Sequence, residues 1–186
     1  ALFTHIPGLN VVIPSTPRDA YGLMLTALNT PGVTLFFEDR EIKDDLLKET
    51  DCRIEGRIGL GYALERRNGN DKPDCTVVTY GLMRQMTEQA LDPMLNIDLI
   101  DLRSIYPIDW MAIRASVRRS EKLLVIEPDV QYGGIGAEIA ATIAEQMPEV
   151  RVRRLGGPRE TIPASPALHG QIMPSDMEII YAINHL

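Results

Sequence analysis

Three glycines stand directly ahead of an apolar stretch at residues 132–146, YGGIGAEIAATIAEQ. A glycine-rich loop that opens a helix can bind phosphate, because free backbone N–H groups and the helix dipole both attract an anion. Gly133, Gly134 and Gly136 fit neither the G-x-G-x-x-G dinucleotide pattern nor a P-loop, which needs a following Lys. Glu138 also falls in the first helical turn, where it would repel a phosphate. The spacing therefore favours a packed strand-to-helix turn over a phosphate loop.

The apolar residues after these glycines recur every four positions, at Ile135, Ile139 and Ile143. This period predicts a helix with one packed face. Positive φ at the first glycines and a close approach of the helix start to another backbone would explain the glycines. We therefore predict a packing role at an interface for the turn and for the glutamate that ends the preceding strand: Glu127, Gly133, Gly134, Gly136 and Glu138.

Other residue types offer little chemistry. His5, in FTHIPG, is the one candidate catalytic residue, although a lone histidine is more often a structural hydrogen-bonding group. His169 and His185 are predicted to be structural or exposed. The sequence contains no Ser-His-Asp order, paired-carboxylate motif or zinc-type spacing, and Cys52 and Cys75 form no CxxC pair. These residues alone do not indicate an enzyme.

The composition sets further bounds. The 186 residues fit one domain, or one domain with part of another. A net charge of −7 gives little support for a nucleic-acid partner, and no apolar run is long enough to predict a membrane span. The N-terminus lacks the features of a signal peptide and an initiator Met, so we expect a segment of a longer protein from a cytoplasmic-type compartment.

The predicted elements place these residues in an α/β domain. Residues 11–13 predict a strand, Thr16 an N-cap with Pro17 at the first helical position, and VTLFFE the next strand. Residues 39–73 are charged and turn-rich, which predicts a connector with a hairpin over IGLGYALERRNGNDKPDCTVVTY. Strands and helices then alternate, with IDLIDLRSI as one strand and a helix that carries Met83, Met86, Ala90 and Met94 on one face. This pattern predicts a layered domain with a largely parallel sheet.

Several long motifs in order resemble one family. HIPGLNVVIPSTPRDAYGLMLTAL, VTLFFEDREI, CTVVTYG, IDLIDLRSIYPID, KLLVIEPDVQYGGIGAEIAATIAE and LGGPRETIPASPAL together resemble the β subunit of the thiamine-dependent 2-oxo acid dehydrogenases. That family includes pyruvate, branched-chain and acetoin enzymes. The resemblance covers nearly the whole chain, which makes it far more specific than any single motif.

The resemblance implies a domain plan. Residues 1–44 would be the last β-α-β of a pyrimidine-binding domain, residues 45–74 a linker or hairpin, and residues 75–186 a transketolase C-terminal-type domain. That domain would be a three-layer α/β/α sandwich with a mostly parallel sheet and one antiparallel edge strand.

The resemblance also implies the chemistry, namely oxidative decarboxylation of a 2-oxo acid with acyl transfer to lipoyl-lysine. Pyruvate is the first candidate for the 2-oxo acid. Thiamine diphosphate and magnesium would be bound mainly outside this segment. The segment would then supply a dimer scaffold and a docking surface. Its implied partners are an α subunit, a second β subunit and a lipoyl acyltransferase core, with no nucleic acid and no membrane. The implied compartment is the cytoplasm, or the mitochondrial matrix in a eukaryote.

One metal site is implied by the same resemblance. Some members hold a potassium ion through main-chain carbonyls after the helix that matches LTALNTPG, and the matching positions are Ala27, Leu28, Thr30 and Gly32. NTPG departs from the more common acidic and Asn-rich turn of the family.

Two other interpretations stay open. The first is the C-terminal segment of a transketolase or a deoxyxylulose-phosphate synthase, which would share the fold. The second is a non-catalytic, flavodoxin-like binding module, which would have its own small-ligand site and be a monomer.

Overall fold

The computed structural model describes residues 1–40, 42, 58–61, 63–66, 72–91, 95–165, 170 and 172–186. These residues form two sheets and the helices that cover them. The chain opens with a 3₁₀ helix at Leu2–His5. In chain order the remaining elements are β1 (Leu9–Val12), α1 (Pro17–Asn29), β2 (Val33–Phe36), β3 (Leu64–Arg66), β4 (Cys75–Thr79), α2 (Leu82–Ala90), β5 (Ile97–Asp101), β6 (Ser104–Tyr106), α3 (Trp110–Ser120), β7 (Lys122–Val130), α4 (Ile135–Gln146), β8 (Arg151–Gly157) and α5 (Asp176–Asn184).

The N-terminal β-α-β unit forms as the sequence predicts. The side chain of Thr16 caps α1 by accepting the Asp19 N–H at 3.1 Å, and Pro17 takes the first helical position. Strands β1 and β2 pair in parallel.

The larger sheet has five strands in the order β3-β5-β4-β7-β8. The last four of these run parallel and β3 runs antiparallel at the edge. Helices α3 and α4 pack on one face, around a core that includes Val78, Ile100 and Val125. Helices α2 and α5 pack on the other face, around Val77 and Ile126. The three-layer sandwich with one antiparallel edge strand is confirmed.

The stretch IDLIDLRSI is two strands and not one. Strand β5 ends at Asp101, Arg103 takes a left-handed backbone conformation with φ of 57°, and β6 pairs antiparallel with β1 in the smaller sheet. The Arg103 carbonyl accepts the Ile13 N–H at 2.8 Å, which holds this corner against the end of β1. The chain therefore passes from one sheet to the other at Arg103, and β6 ties the N-terminal unit to the larger sheet.

The predicted hairpin between β3 and β4 is wrong. Strand β3 pairs antiparallel with β5, with Leu64 opposite Asp101. Because β4 is already paired with β5 on one side and β7 on the other, β3 takes the free edge of β5. Most of the predicted connector, together with Met94, Cys52 and His169, lies outside the described residues.

A buried polar cluster joins the N-terminal unit to the end of β5. Asp101 is 1% exposed, and its Oδ1 accepts the Ser15 hydroxyl at 3.0 Å and the Arg103 N–H at 3.2 Å. Arg103 Nε in turn lies 2.7 Å from Oδ1 of Asp19, which is also 1% exposed. Gln85 of α2 donates to the Ser15 carbonyl at 2.7 Å. Because each element contributes a partner, the cluster fixes α1, α2 and the end of β5 relative to one another.

One arginine faces two carboxylates in this cluster. Burial, followed by the charge of Asp19, raises the pKa of Asp101 to about 7, while Ser15, Arg103 and Arg84 act in the opposite direction. Asp101 Oδ2 has no hydrogen-bond partner among the described residues. The protonated carboxyl is therefore the form that the fold favours.

A second buried cluster lies on the opposite face of the same strands. The Thr76 hydroxyl is 2.7 Å from that of Ser116 and 2.8 Å from that of Ser120. Ser116 donates to Asp98 at 2.6 Å, and Arg119 forms an ion pair with the same carboxylate. This cluster anchors α3 to β4 and β5.

The raised pKa of Asp101 predicts a pH dependence of stability. A carboxyl whose pKa is higher in the folded state contributes stability that is complete below its unfolded pKa and is lost as the pH rises through the folded value. We therefore expect the free energy of unfolding to fall between pH 4 and pH 7 by up to about 4 kcal/mol from this group. Asp101→Asn keeps the acceptor for Ser15 and should remove this slope, making the variant the more stable protein above pH 7.

The measurement is urea unfolding across this pH range for the wild type and for Asp101→Asn. Asp74→Asn, at an exposed site before β4, controls for the lost charge and should follow the wild-type slope. Parallel pH curves for all three proteins would contradict the assignment of the pH dependence to Asp101.

Candidate functional site

The glycine turn surrounds a buried glutamate. Strand β7 continues through Pro128 to Val130, so Glu127 lies within the strand and not at its end. Its side chain is 0% exposed, and Oε2 accepts the Gly136 N–H at 3.0 Å, in the first turn of α4. The carboxylate therefore takes the place that an anion would occupy at a helix N-terminus.

Three glycines leave the space for this side chain. A Cβ on Gly134 would lie 2.3 Å from Glu127 Oε2, and a Cβ on Gly136 would lie 2.8 Å from Oε1. A Cβ on Gly156 in β8 would lie 3.0 Å from Glu127 Cγ. The structure thus corrects the reason for Gly136: the group that approaches it is a side chain and not a second backbone. Gly133, with φ of 71°, supplies the left-handed residue of the turn.

Burial is the main electrostatic influence on this site. Burial raises the pKa of Glu127, against the opposing effects of the Gly136 N–H and of Arg154, while Asp129 adds to the rise. Tyr80 is also buried, and burial followed by the charge of Glu127 raises its pKa well above its ordinary value. The two groups form a buried acidic pair beneath the start of α4.

The same geometry argues against a phosphate site. The Gly136 N–H is already bound by Glu127, and Glu138 is exposed on the first turn of α4. A phosphate at this helix would meet two carboxylates. The structure thus agrees with the packing interpretation of the glycines.

His5 lies close to the glycine turn. It is exposed at the end of the 3₁₀ helix and lines a cleft of about 630 Å³ that Gly133, Gly134 and Glu138 also line. Trp110, at the start of α3, contributes an aromatic wall. The fold brings His5 and the glycine turn to one cleft, and the catalytic role of His5 stays a prediction.

The five predicted interface residues divide into two groups. Glu127, Gly134 and Gly136 are buried inside the chain, where they contact one another. Gly133 and Glu138 are exposed. Only these last two could touch a second subunit directly, and the interface role stays a prediction.

The predicted potassium positions lie at the C-terminal end of α1. The Ala27 carbonyl accepts the Thr30 N–H at 3.3 Å, and the Thr30 hydroxyl donates to the Thr26 carbonyl at 2.7 Å. The chain then reverses at Gly32, which has φ of 103°. Carbonyl oxygens at the negative end of a helix dipole suit a monovalent cation, so the donor chemistry fits.

The described residues contain no group of three or more His, Cys, Asp or Glu side chains that could hold a metal ion. Cys75 is a free, buried thiol whose pKa burial raises to about 12, so it is not a reactive nucleophile. In the same part of the chain, no helix is both long and apolar enough to cross a membrane.

Sequence reasoning missed the buried acids of β5. All five residues of β5 are buried, including Asp98 and Asp101. Their signal is visible in the sequence as two aspartates within a strand whose neighbours are all Ile or Leu. Polar residues at such positions need specific partners.

The packing of Glu127 predicts a pairwise coupling. Gly134→Ala places a methyl group against the carboxylate and should destabilise the protein by about 1–3 kcal/mol. In a Glu127→Ala background the space is free, and the cost of Gly134→Ala should fall by at least about 1 kcal/mol. Chemical denaturation of the four proteins gives this coupling energy.

Gly133→Ala is the matched control. Its Cβ would meet no atom within 4 Å, so only the left-handed backbone costs energy, about 1–2 kcal/mol in both backgrounds. An equal cost of Gly134→Ala with and without the Glu127 side chain would show that Gly134 does not make room for that side chain. Nucleotide binding that Gly136→Val abolished would restore the phosphate-loop interpretation.

Comparisons with known proteins agree with the observed fold. Residues 61–179 match the family described as transketolase, C-terminal domain. The 2-oxoisovalerate dehydrogenase subunit beta of Bacillus subtilis (strain 168) is 35% identical, over 89% of this chain and 51% of that protein. The acetoin:2,6-dichlorophenolindophenol oxidoreductase subunit beta of Cupriavidus necator is 30% identical, over 97% of this chain and 54% of that protein. A pyruvate dehydrogenase E1 component subunit beta of Staphylococcus epidermidis is 31% identical, over 78% of this chain and 45% of that protein.

The chain spans about half the length of these curated relatives. Among solved structures, a split-gene transketolase described as an inactive β4 tetramer shares the fold, with a TM-score of 0.79 at 19% identity over 97% of this chain and 58% of that chain. Taken together, the match over residues 61–179 and the three-layer sandwich show that this chain belongs to the transketolase C-terminal domain family, and its relatives over most of its length are named as β subunits of 2-oxoisovalerate, acetoin and pyruvate dehydrogenases.

Proposed function

We propose that this chain is part of the β subunit of the first component of a 2-oxo acid dehydrogenase. The observation that carries the proposal is the extent of the match: the acetoin-enzyme relative aligns over 97% of the chain, so the likeness includes the β1-α1-β2 unit as well as the larger sheet. A lone transketolase C-terminal domain would account for residues 61–179 only.

The proposed reaction is oxidative decarboxylation of a 2-oxo acid with acyl transfer to lipoyl-lysine. Thiamine diphosphate with magnesium, bound mainly outside residues 1–186, would supply the electron sink that decarboxylation needs. At α4 this chain offers no diphosphate site, because Glu127 fills the helix N-terminus. The proposed compartment is the cytoplasm, or the mitochondrial matrix for a eukaryotic source.

Within the enzyme, we propose a scaffold and docking role for this segment. Helix α1 exposes three apolar side chains along one face, with Tyr21 at 55%, Met24 at 39% and Leu28 at 76%. An exposed apolar face of this kind is typical of a surface that another chain covers. The proposed partners are an α subunit, a second β subunit and a lipoyl acyltransferase core.

The test is reconstitution of the full-length subunit with its α partner. With thiamine diphosphate and Mg²⁺, the complex should oxidise a 2-oxo acid with an artificial electron acceptor, whereas residues 1–186 alone should not. Pyruvate and 2-oxoisovalerate are compared, since relatives are named for both. Decarboxylation by residues 1–186 unaided, or no turnover of either substrate by the complex, would refute the proposal.

Light scattering separates this function from the flavodoxin-like alternative. A subunit should form a dimer or associate with the α partner, while a self-contained binding module should be a monomer. A monomer that binds a small ligand and ignores the α subunit would favour the alternative.

The potassium site is part of the proposal and has its own test. Carbonyls of Ala27, Leu28, Thr30 and Gly32 would hold the ion at the end of α1. A ligand that binds only the folded state raises stability in proportion to the logarithm of its concentration. The melting temperature in KCl should therefore exceed that in NaCl or choline chloride at equal ionic strength, by a few degrees. Identical melting curves in the three salts would exclude the site.

A further inference from the structure

One edge of the larger sheet is formed by β8. Strand β8 pairs with β7 on one side, and among the described residues no strand lies on its other side. Residues 152–156 are half-buried and Arg151 is exposed, so no described element covers the strand completely. At seven residues, β8 is long enough to present several unpaired N–H and C=O groups to another chain.

The charge of this edge is opposite to that of the chain. Arg151, Arg153 and Arg154 fall within seven residues of a protein whose net charge is −7. Strand alternation sends the side chains of Arg151 and Arg153 to the α5 face and that of Arg154 to the α4 face. The edge is therefore flanked by positive charge on both faces of the sheet.

These arginines do not lie across the edge. Arg151 Nη1 donates to the Leu186 carbonyl at 3.3 Å, and Arg154 Nη1 donates to the Gln131 carbonyl at 2.8 Å. The Arg153 guanidinium lies 5.5 Å from the centre of the Tyr181 ring. Charged side chains that protect an edge from pairing extend over it. Here all three are held back on the sheet faces, and one carbonyl of the strand, that of Arg154, accepts the Gln131 side-chain amide at 3.3 Å.

Helix α5 adds apolar surface beside the edge. Met177 is 80% exposed and Tyr181 is 55% exposed, and the two lie one helical turn apart. Tyr181 stacks on His185 and contacts Arg153, which places this apolar strip next to β8.

A second copy of β8 fits this edge poorly. Pairing of β8 with β8 of a second copy about a two-fold axis would bring the three arginines of one copy against the three of the other. Like charges on facing strands are destabilising. An extended segment with acidic residues has the matching charge, because acids on its α5-facing side would meet Arg151 and Arg153.

We propose that the outer edge of β8 is a docking site for an extended acidic segment of another protein, which adds to the sheet as a sixth strand. Backbone hydrogen bonds to β8 would provide affinity, and the arginines would provide selectivity. This proposal does not depend on the function of the parent enzyme.

The test uses the intact protein and a fluorescein-labelled, acetylated octapeptide of alternating Val and Glu. Fluorescence anisotropy should show saturable binding that weakens as salt is raised. The same peptide with alternate backbone nitrogens methylated loses its donors on one edge and should bind at least about 10-fold more weakly. A Val and Lys peptide should not bind. Equal affinity of the methylated peptide, or no binding of the Val and Glu peptide at about 1 mM, would overturn the proposal.

Variants locate the site. Arg153→Glu should weaken binding of the octapeptide by about 10-fold or more, and Arg118→Glu, at an exposed arginine of α3, should leave it within about 2-fold.

Hydrogen exchange on the wild type, which does not depend on the variant folding, should show new protection in β8 when the peptide is added. Protection confined to other elements, or β8 protection that grows with protein concentration in the absence of peptide, would overturn the proposal in favour of another site or of self-pairing.

Discussion

Both faces of the five-stranded sheet are covered by helices, and this cover determines what its polar residues can do. Strands β4 and β5 are buried at every position, so each polar side chain on them is removed from water. A buried polar group is costly unless it finds a partner. The polar groups around Asp101 and Asp98 of β5, and around Glu127 of the neighbouring buried strand β7, meet this constraint with partners inside the described part of the chain.

Each of these groups connects the sheet to a different element. Asp98 binds Ser116 and Arg119 and so fixes α3, while Glu127 binds the Gly136 N–H and fixes the start of α4. The contacts of Asp101 hold the N-terminal unit. Apolar packing between helices and sheet is tolerant of small rotations, whereas these hydrogen bonds are directional. The acids therefore set the register of the helices on the sheet.

The glycine turn illustrates how a sequence pattern can point to the wrong class of ligand. Glycines before a helix are compatible with an anion at the helix N-terminus, and an anion is present there. It is the protein's own Glu127, nine residues earlier in the chain. The glycines provide room for that side chain, and no sequence template for phosphate binding describes this arrangement. Gly156, from β8, completes the enclosure and could not have been associated with the turn from spacing alone.

Residue patterns in the sequence predict most of the elements, their order and the largely parallel sheet, because hydrophobic period, capping residues such as Thr16 and turn residues act over a few positions. The Ser175–Glu178 capping box at the start of α5 is another local feature of this kind. Which strands pair depends on the tertiary structure, in which β3 lies beside β5 and β6 beside β1. The tertiary structure also decided the partners of the buried acids, because Ser15 and Asp101 are 86 residues apart in the chain and meet only when the two sheets are assembled. Long-range contacts of this kind depend on the packing of whole elements, which local residue patterns do not encode.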